Sequence, residues 1–407
     1  MRNLLRRKGR TLVIAGLLAV AVVFFLFMES LMTGMMDVSF GNVIDYETPH
    51  IEIGREEFFA RAGDEQVLPL AETFLPGEDV LTAIRAREGF VALTPVLDFS
   101  AVLAATGYEF PVRVRSVDPD TFGDVFRNQE HLLEGSFVEP NGSGLVIGSR
   151  LADVFDLEVG DSCTLLLQDD QGSLITVQGS IRGILSVPHP DMNLGTVFMG
   201  RDRAAELLGI EDGRVSHIMV RMESRDQALT EAEELADQLA GYDLAVRSYR
   251  DASELLVSLE AWGYLETYVI LALFLLVGAI GITSAIVLGA IERVREIGMM
   301  KALGLRESEI VRVFLIEAAG IGAIGGLIGC ALGAGVVYWL SNYGISMEAF
   351  LDLEALGVPM GDHIYGAWTT PSFARILALV TLVAVAASVV PAYWAARKDP
   401  VEAIQHR

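Results

Sequence analysis

A chain of 407 residues is long enough for two or three domains, but with 52% hydrophobic residues lipid is the expected solvent for part of it. A net charge of −24 excludes nucleic acid and anionic headgroups as ligands of the acidic part, because both would be repelled. Two cysteines, Cys163 and Cys330, and six scattered histidines exclude a disulfide scaffold and a zinc site of ordinary spacing.

The first predicted element is an apolar run over 11–28, behind a basic start formed by Arg2, Arg6, Arg7, Lys8 and Arg10. It exceeds the roughly 7–15 residues of a signal-peptide core, and Glu29-Ser30-Leu31-Met32-Thr33 offers no small-x-small cleavage site. An uncleaved transmembrane helix is expected. Residues 33–262 then read as globular α+β, with strands at 50–53, 110–117, 144–147, 164–168, 174–184, 196–199 and 216–221. Helices are expected at 79–87, 150–155, 201–208 and 228–240. This segment holds 16 Arg against 41 Asp plus Glu, a net of −25, so the acidity of the whole chain belongs to it. That charge is read as solvation of a large exposed domain.

No proline interrupts 252–270, and Leu255, Leu256, Leu259 and Trp262 recur at helical spacing. A second membrane helix that begins ahead of the bilayer is expected there, with a separate surface helix ending at Gly263 as the alternative. Apolar runs at 268–291, 311–340 and 373–396 are each near or above the roughly 18–20 residues needed to cross a bilayer. Small residues recur every four positions within them: Gly281, Ala285 and Gly289 in one, Gly322 with Gly326 and Gly325 with Gly329 and Gly333 in the next. Helices in lipid associate by close approach through such faces, so these glycines are read as helix packing, with a dimer contact as an additional role. Glu317 lies inside the 311–340 run and is expected to be buried against protein or paired, because a lone carboxylate in lipid is costly.

Orientation follows from basic flanks, which are retained in the cytoplasm. The connection over 292–312 carries Arg293, Arg295, Lys301, Arg306 and Arg312, whereas 342–372 carries no Lys or Arg and has Glu348, Asp352, Glu354 and Asp362. The expected fold class is therefore an α-helical membrane protein with four transmembrane helices in a 1+3 arrangement and a large α+β extracytoplasmic domain between the first and second. The layout runs 1–32 (cytoplasmic start and first span), 33–262 (external domain), 263–291 (second span) and 292–310 (cytoplasmic connection). It continues with 311–341 (third span), 342–372 (external loop), 373–396 (fourth span) and 397–407 (cytoplasmic tail). Both termini are expected inside, in a bacterial inner membrane.

Enzyme chemistry is not expected. There is no G-x-x-x-x-G-K-[ST] loop to cradle phosphates, and no H-E-x-x-H. Ser143 and Ser162 lack a nucleophile elbow. The histidines, among them His50, His131, His189 and His217, are read as isolated.

The cytoplasmic connection reads Glu292-Arg293-Val294-Arg295-Glu296-Ile297-Gly298-Met299-Met300-Lys301-Ala302-Leu303-Gly304-Leu305. It is a short amphipathic segment pinned between two spans, with Ile297, Met300 and Leu303 or Gly304 on one side and charges on the other, suited to a partner's groove. It closely resembles the R-E-I-G-x-x-K-A-x-G signature of the FtsX-like permeases of ABC transporters, the group that includes MacB-type pumps and the lipoprotein-releasing LolC and LolE subunits. Pro391-Ala392 through Ala395-Ala396-Arg397 and Asp399-Pro400-Val401-Glu402-Ala403-Ile404 resembles the family's C-terminal motif. Val117-Asp118-Pro119, Leu133-Glu134-Gly135, residues 146–152 and Leu157-Glu158-Val159-Gly160-Asp161 resemble the external domain of LolC and LolE.

The resemblance implies a permease subunit of an ABC transporter whose ATP and Mg are held by separate cytoplasmic ATPase subunits, with no cofactor on this chain. It makes Arg295, Glu296, Ile297, Gly298, Met300, Lys301, Ala302, Leu303 and Gly304 the coupling segment that docks on the ATPase. It further implies a second permease, identical or related, and a periplasmic carrier or adaptor. Lipoprotein release or export of a lipophilic cargo is the leading expectation. An FtsX-type mechanotransmitter acting on a cell-wall hydrolase, and an efflux permease with a periplasmic adaptor, are the alternatives.

Overall fold

The computed structural model describes residues 8–64, 70–168, 173–210, 213–292, 294–346 and 363–397, with the side chains of 8–11, 62–64, 255, 295 and 302 excepted. Most of the basic start, Arg293, the acids Glu348, Asp352, Glu354 and Asp362, and the C-terminal motif from Lys398 onward lie outside the described residues. The chain forms two compact units. One contains the residues up to Met36, Ser258–Ser346 and those from His363. The other contains Asp37–Val257.

Among the described residues four helices are long and apolar enough to cross a bilayer: α1 (Lys8–Tyr46) and, after the mixed segment, α10 (Glu254–Glu292), α12 (Glu307–Tyr343) and α13 (Thr370–Ala396). At 39 residues, α1 and α10 are each about 58 Å long, well beyond the ~30 Å hydrocarbon core, so part of each extends past it. The helix α10 passes through Gly263 without interruption, so the alternative of a separate surface helix ending there is not what forms. A short helix, α11 (Val294–Ala302), lies between α10 and α12, and β11 (Ile345–Ser346) pairs with β12 (His363–Ile364) between α12 and α13.

Between α1 and α10 the chain is α+β. Its strands are β1 (Ile51–Gly54), β2 (Phe90–Ala105), β3 (Tyr108–Val117), β4 (Leu132–Gly135), β5 (Gly144–Gly148), β6 (Ser162–Gln168), β7 (Leu174–Leu185), β8 (Thr196–Gly200), β9 (His217–Met222) and β10 (Ala245–Ser248). Its helices are α2 (Glu56–Asp64), α3 (Glu78–Arg85), α4 (Pro119–Val125), α5 (Ser149–Phe155), α6 (Pro190–Gly195), α7 (Arg201–Leu208), α8 (Arg225–Leu239) and α9 (Tyr249–Ala252). Six strands close into a ring, β2-β3-β8-β5-β7-β6 and back to β2. Closure removes the free strand edges that would otherwise invite intermolecular pairing. Leu97, Phe99, Ala101 and Leu103 alternate along β2 and meet Val112, Val114, Leu145, Ile147, Leu165 and Leu167 in one buried cluster. The period of two is what aims every second side chain at that core.

The longest strand, β2, is absent from the sequence reading. Its first part pairs with β9, from Phe90↔Met222 to Val96↔His217, and its second part with β3 and β6. A strand that changes partners midway serves two cores, and Pro95 together with Ala101, Ala104 and Ala105 blurs its pattern. The second core joins Ile51, Ile53, Ile218 and Val220 to Ile84 of α3 and Leu235 of α8.

Candidate coupling segment and the helix packing that holds it

The helix α11 turns its two sides to different surroundings. Ile297 is only 4% exposed and sits in one apolar cluster with Ile286 and Ala290 of α10, Ile310 and Phe314 of α12, and Ala392 of α13. Gly298 is also buried, and Met300 packs against the same cluster. On the opposite side Glu296 is exposed, Met299 is 56% exposed and Leu303, just past the helix end, is 83% exposed. Positions 296, 299 and 303 fall at i, i+3 and i+7, one strip of a helical surface. Among the described side chains of the segment, the exposed apolar ones are Met299 and Leu303, while Ile297 and Gly298 hold it to its own membrane helices; the side chains of Arg295 and Ala302 lie outside the described residues.

The end of α11 is fixed by backbone geometry. Gly304 has φ +91, and its N–H donates to the Lys301 carbonyl at 2.9 Å while the Leu305 N–H donates to the Met300 carbonyl at 3.1 Å. That is the double bond of a Schellman cap, which wants glycine at the left-handed position. Lys301 pairs with Glu307 at 3.7 Å, and the Glu309 carboxylate accepts from the Arg306 N–H at 2.8 Å, so the turn into α12 is held by charges at the start of that helix.

The two glycine registers of α12 seat two different helices of the same chain. A Cβ on Gly329 would stand 2.6 Å from Val22 Cβ and 2.9 Å from the Ala19 carbonyl oxygen, and Gly325 and Gly333 face Leu18 and Leu26 as closely. That register packs on α1. A Cβ on Gly322 would stand 2.7 Å from Ala384 Cβ, and one on Gly326 2.7 Å from Leu377 Cδ1, so the second register packs on α13. Gly281 and Gly289 of α10 face nothing within 4 Å, although they share the spacing. Both registers of α12 are thus filled from within the chain.

Glu317 is half-buried on α12. A second intramembrane carboxylate escaped the sequence reading. Glu29 of α1 is 8% exposed; its Oε1 accepts from Ser372 Oγ of α13 at 2.8 Å and from Arg375 Nη2, which also reaches Ser372 Oγ at 3.0 Å. Arg375 lies inside the predicted fourth span, and an arginine there is the signal that a partner acid should be sought.

The α+β unit holds a polar cluster that the sequence reading also missed. Asp98 and Arg115, each 2% exposed, pair at 3.0 Å, and Arg115 Nη1 donates to the Glu47 carbonyl at 2.6 Å, just past the end of α1. His189 Nε2 lies 2.8 Å from Glu47 Oε2, and the Tyr46 hydroxyl lies 2.8 Å from His131 Nε2. Asp45 pairs with Arg221 at 2.7 Å. The last residues of α1 are therefore clamped by side chains from several strands and loops. Histidines that look isolated in sequence are brought to this place by the fold.

Burial pulls the Glu47 carboxyl up, but His189, Arg113 and Arg115 outweigh it and hold it down at about 2. Burial opposes charge on His189, yet Glu47 keeps its pKa raised. Burial pushes Glu52 up to about 7 and pushes His50 and His217 down to about 4, so these three favour their neutral forms. Among the described residues no group of His, Cys, Asp and Glu could hold a metal ion.

Comparison with known families gives two matches along the chain. Residues 11–239 match the MacB-like periplasmic core domain and residues 268–400 match the FtsX-like permease C-terminal family. The chain belongs to the FtsX-like permeases of ABC transporters that carry a MacB-like periplasmic core. Among relatives of this permease, the lipoprotein-releasing system transmembrane protein LolC of Neisseria meningitidis is 25% identical over 97% of this chain and 93% of its own. LolC of Xylella fastidiosa is 24% identical over 77% of each chain. A probable export ATP-binding/permease protein MacB of Pseudomonas entomophila is 35% identical over 32% of this chain and 17% of its own. The similarity to LolC runs along nearly the whole permease, and that to MacB covers a shorter part.

Proposed function

We propose that this permease converts ATP binding and hydrolysis on separate cytoplasmic ATPase subunits into movement of its MacB-like domain, and that α11 is the element on which the ATPase acts. The observation that carries the reading is the two-sided burial of α11. Ile297 and Gly298 are locked into the membrane helices, while Glu296, Met299 and Leu303 stand open, so a push on the open side reaches α10 and α12 through packed side chains. In this reading α11 and both termini are cytoplasmic, residues of about 33–262 lie outside, and the chain sits in a bacterial inner membrane beside a second permease. With both glycine registers of α12 filled internally, that second permease meets another surface. The whole-length similarity to LolC favours a lipoprotein or another lipophilic cargo over small-molecule efflux.

Co-expression with the cognate ATPase tests this. Leu303→Asp and Met299→Asp should leave the permease inserted and monodisperse but lower co-purified ATPase about tenfold or more, since each puts a desolvated charge into an apolar contact. ATPase recovery unchanged in both variants would remove α11 from the coupling path. Reporter fusions at Gln171 and Glu307 test the orientation and should give opposite signals.

A further inference from the structure

A small cavity of about 10 Å³ lies where α1, α12 and the start of α13 meet. It is lined by Leu26, Glu29 and Ser30 of α1, Val337 of α12, and Thr369 and Ser372 around the first turn of α13. That is room for one water molecule and for nothing much larger.

The carboxylate of Glu29 is satisfied on one side only. Its Oε1 accepts from Ser372 Oγ at 2.8 Å and from Arg375 Nη2, whereas Oε2 is buried and has no hydrogen-bond partner among the described residues. A buried carboxylate oxygen left without a donor keeps its full desolvation penalty. The other polar groups that line the cavity are hydroxyls. Ser372 Oγ spends its proton on Glu29, and Ser30 Oγ donates to the Ala367 carbonyl at 2.9 Å, so both can only accept further bonds. Thr369 is the N-cap residue of α13, yet its side chain makes no capping bond, which leaves its hydroxyl able to donate into the cavity.

We propose that this cavity is a binding site for one ordered water, which donates to Glu29 Oε2 and is held by the hydroxyls of Thr369 and Ser30 or Ser372. A water carries two protons and two lone pairs, and this lining offers a carboxylate oxygen, hydroxyl acceptors and one hydroxyl donor, the two to four partners that a buried water needs. A metal ion is the competing occupant of a carboxylate site. Here Arg375 already neutralises Glu29, and its guanidinium, bonded to the same carboxylate, would repel a second cation. Dry cavities are apolar, and this one is not. The water joins α1 to the N-cap of α13 at a second point beside the Arg375 pair. The site depends neither on the orientation proposed above nor on an ATPase.

Two measurements on the full wild-type chain in lipid nanodiscs test the site. A density map that resolves ordered waters should show one peak about 2.8 Å from Glu29 Oε2, the length of an O–H···O bond. X-ray radiolysis makes hydroxyl radicals from waters, bound ones included, so a buried side chain beside an ordered water is oxidised and a dry one is not. Leu26, which lines the cavity at 2% exposure, should be oxidised at several times the rate of Leu18, which is 1% exposed on the same helix and lies outside the lining. Thr369→Val should abolish that difference while the Glu29–Arg375 pair persists in the map. The proposal is overturned by a map that resolves other waters but shows no peak here, or that pairs Oε2 with a protein donor. It is equally overturned by a peak ringed by oxygens at the roughly 2.0–2.6 Å of a bound metal ion, or by Leu26 as inert as Leu18.

Discussion

The strand ring and the membrane helices differ in what lies at their points of closest approach: large apolar side chains in the ring, glycines along α12. Inside the ring, Phe99, Leu97, Leu145 and Ile147 fill space between strands, and removing large apolar surface from water is what stabilises it. Between α12 and its neighbours the positions of closest approach are Gly322, Gly325, Gly326, Gly329 and Gly333, set among Ile310, Phe314, Ile321 and Val337, and what the glycines supply is close backbone approach, since lipid offers no hydrophobic gain. Damage should therefore come from opposite changes: from smaller side chains in the ring and from larger ones in the membrane unit.

The largest effect is expected at Gly329. A leucine there would drive its Cβ into Val22 and the Ala19 backbone, so α1 and α12 would have to part, and the yield of monodisperse protein should collapse. Gly335→Leu on the same helix meets nothing within 4 Å and should leave yield unchanged. Equal yields would show that the glycine register does not hold α1. Asp98→Ala comes next. It leaves Arg115 buried without its partner, which should cost about 3–5 kcal/mol in denaturant unfolding of the α+β unit. Phe99→Ala should cost a similar ~3–5 kcal/mol by opening a cavity.

A smaller effect is expected from pH. His189 has a raised pKa, so its contribution is full below about 6.5 and lost as pH rises through its folded value. Glu52, raised to about 7, also loses stability as pH climbs from the ordinary glutamate range through 7. His50 and His217, held near 4, act in the other direction and lose stability as pH falls from about 6.5 through 4. Hydrogen-exchange protection of β1 and β9, corrected for intrinsic rates, should peak near pH 6.5, and Glu52→Gln should flatten the alkaline side. Smallest is Gly304→Ala, where no neighbour obstructs a Cβ but φ is +91; the strain should cost about 1–2 kcal/mol, seen as faster exchange in the last turn of α11.

Sequence alone made the apolar runs and the FtsX-like signature legible, because length and spacing carry them. Seven strands and four helices of the α+β unit were legible for the same reason: strands such as β6 and β9 have β-branched or alternating patterns. The strand β2 was not, since half of it serves each core. The glycine spacing was legible in α12, but which helix each register seats was not, and identical spacing at Gly281 and Gly289 has no close neighbour at all. The same limit hid the clamp around Glu47 and the Glu29–Ser372–Arg375 group. Arg115 and Glu47 lie 68 positions apart, Tyr46 and His131 85, and Glu29 and Arg375 346, and no local pattern joins such distant residues. In α11, periodicity identified an amphipathic helix, but a pattern cannot say which apolar side faces its own chain. Burial of Ile297 makes that assignment.

On the function proposed above, α11 meets an ATPase through the strip of Glu296, Met299 and Leu303 while Ile297 faces inward. Site-directed cross-linking tests it most directly, with single cysteines at 296, 297, 299 and 303 in a chain where Cys163 and Cys330 are replaced by serine and alanine, co-expressed with its ATPase. Positions 296, 299 and 303 should cross-link to the ATPase, and 297 should not. Cross-linking at 297 with none at 299 and 303 would contradict the account.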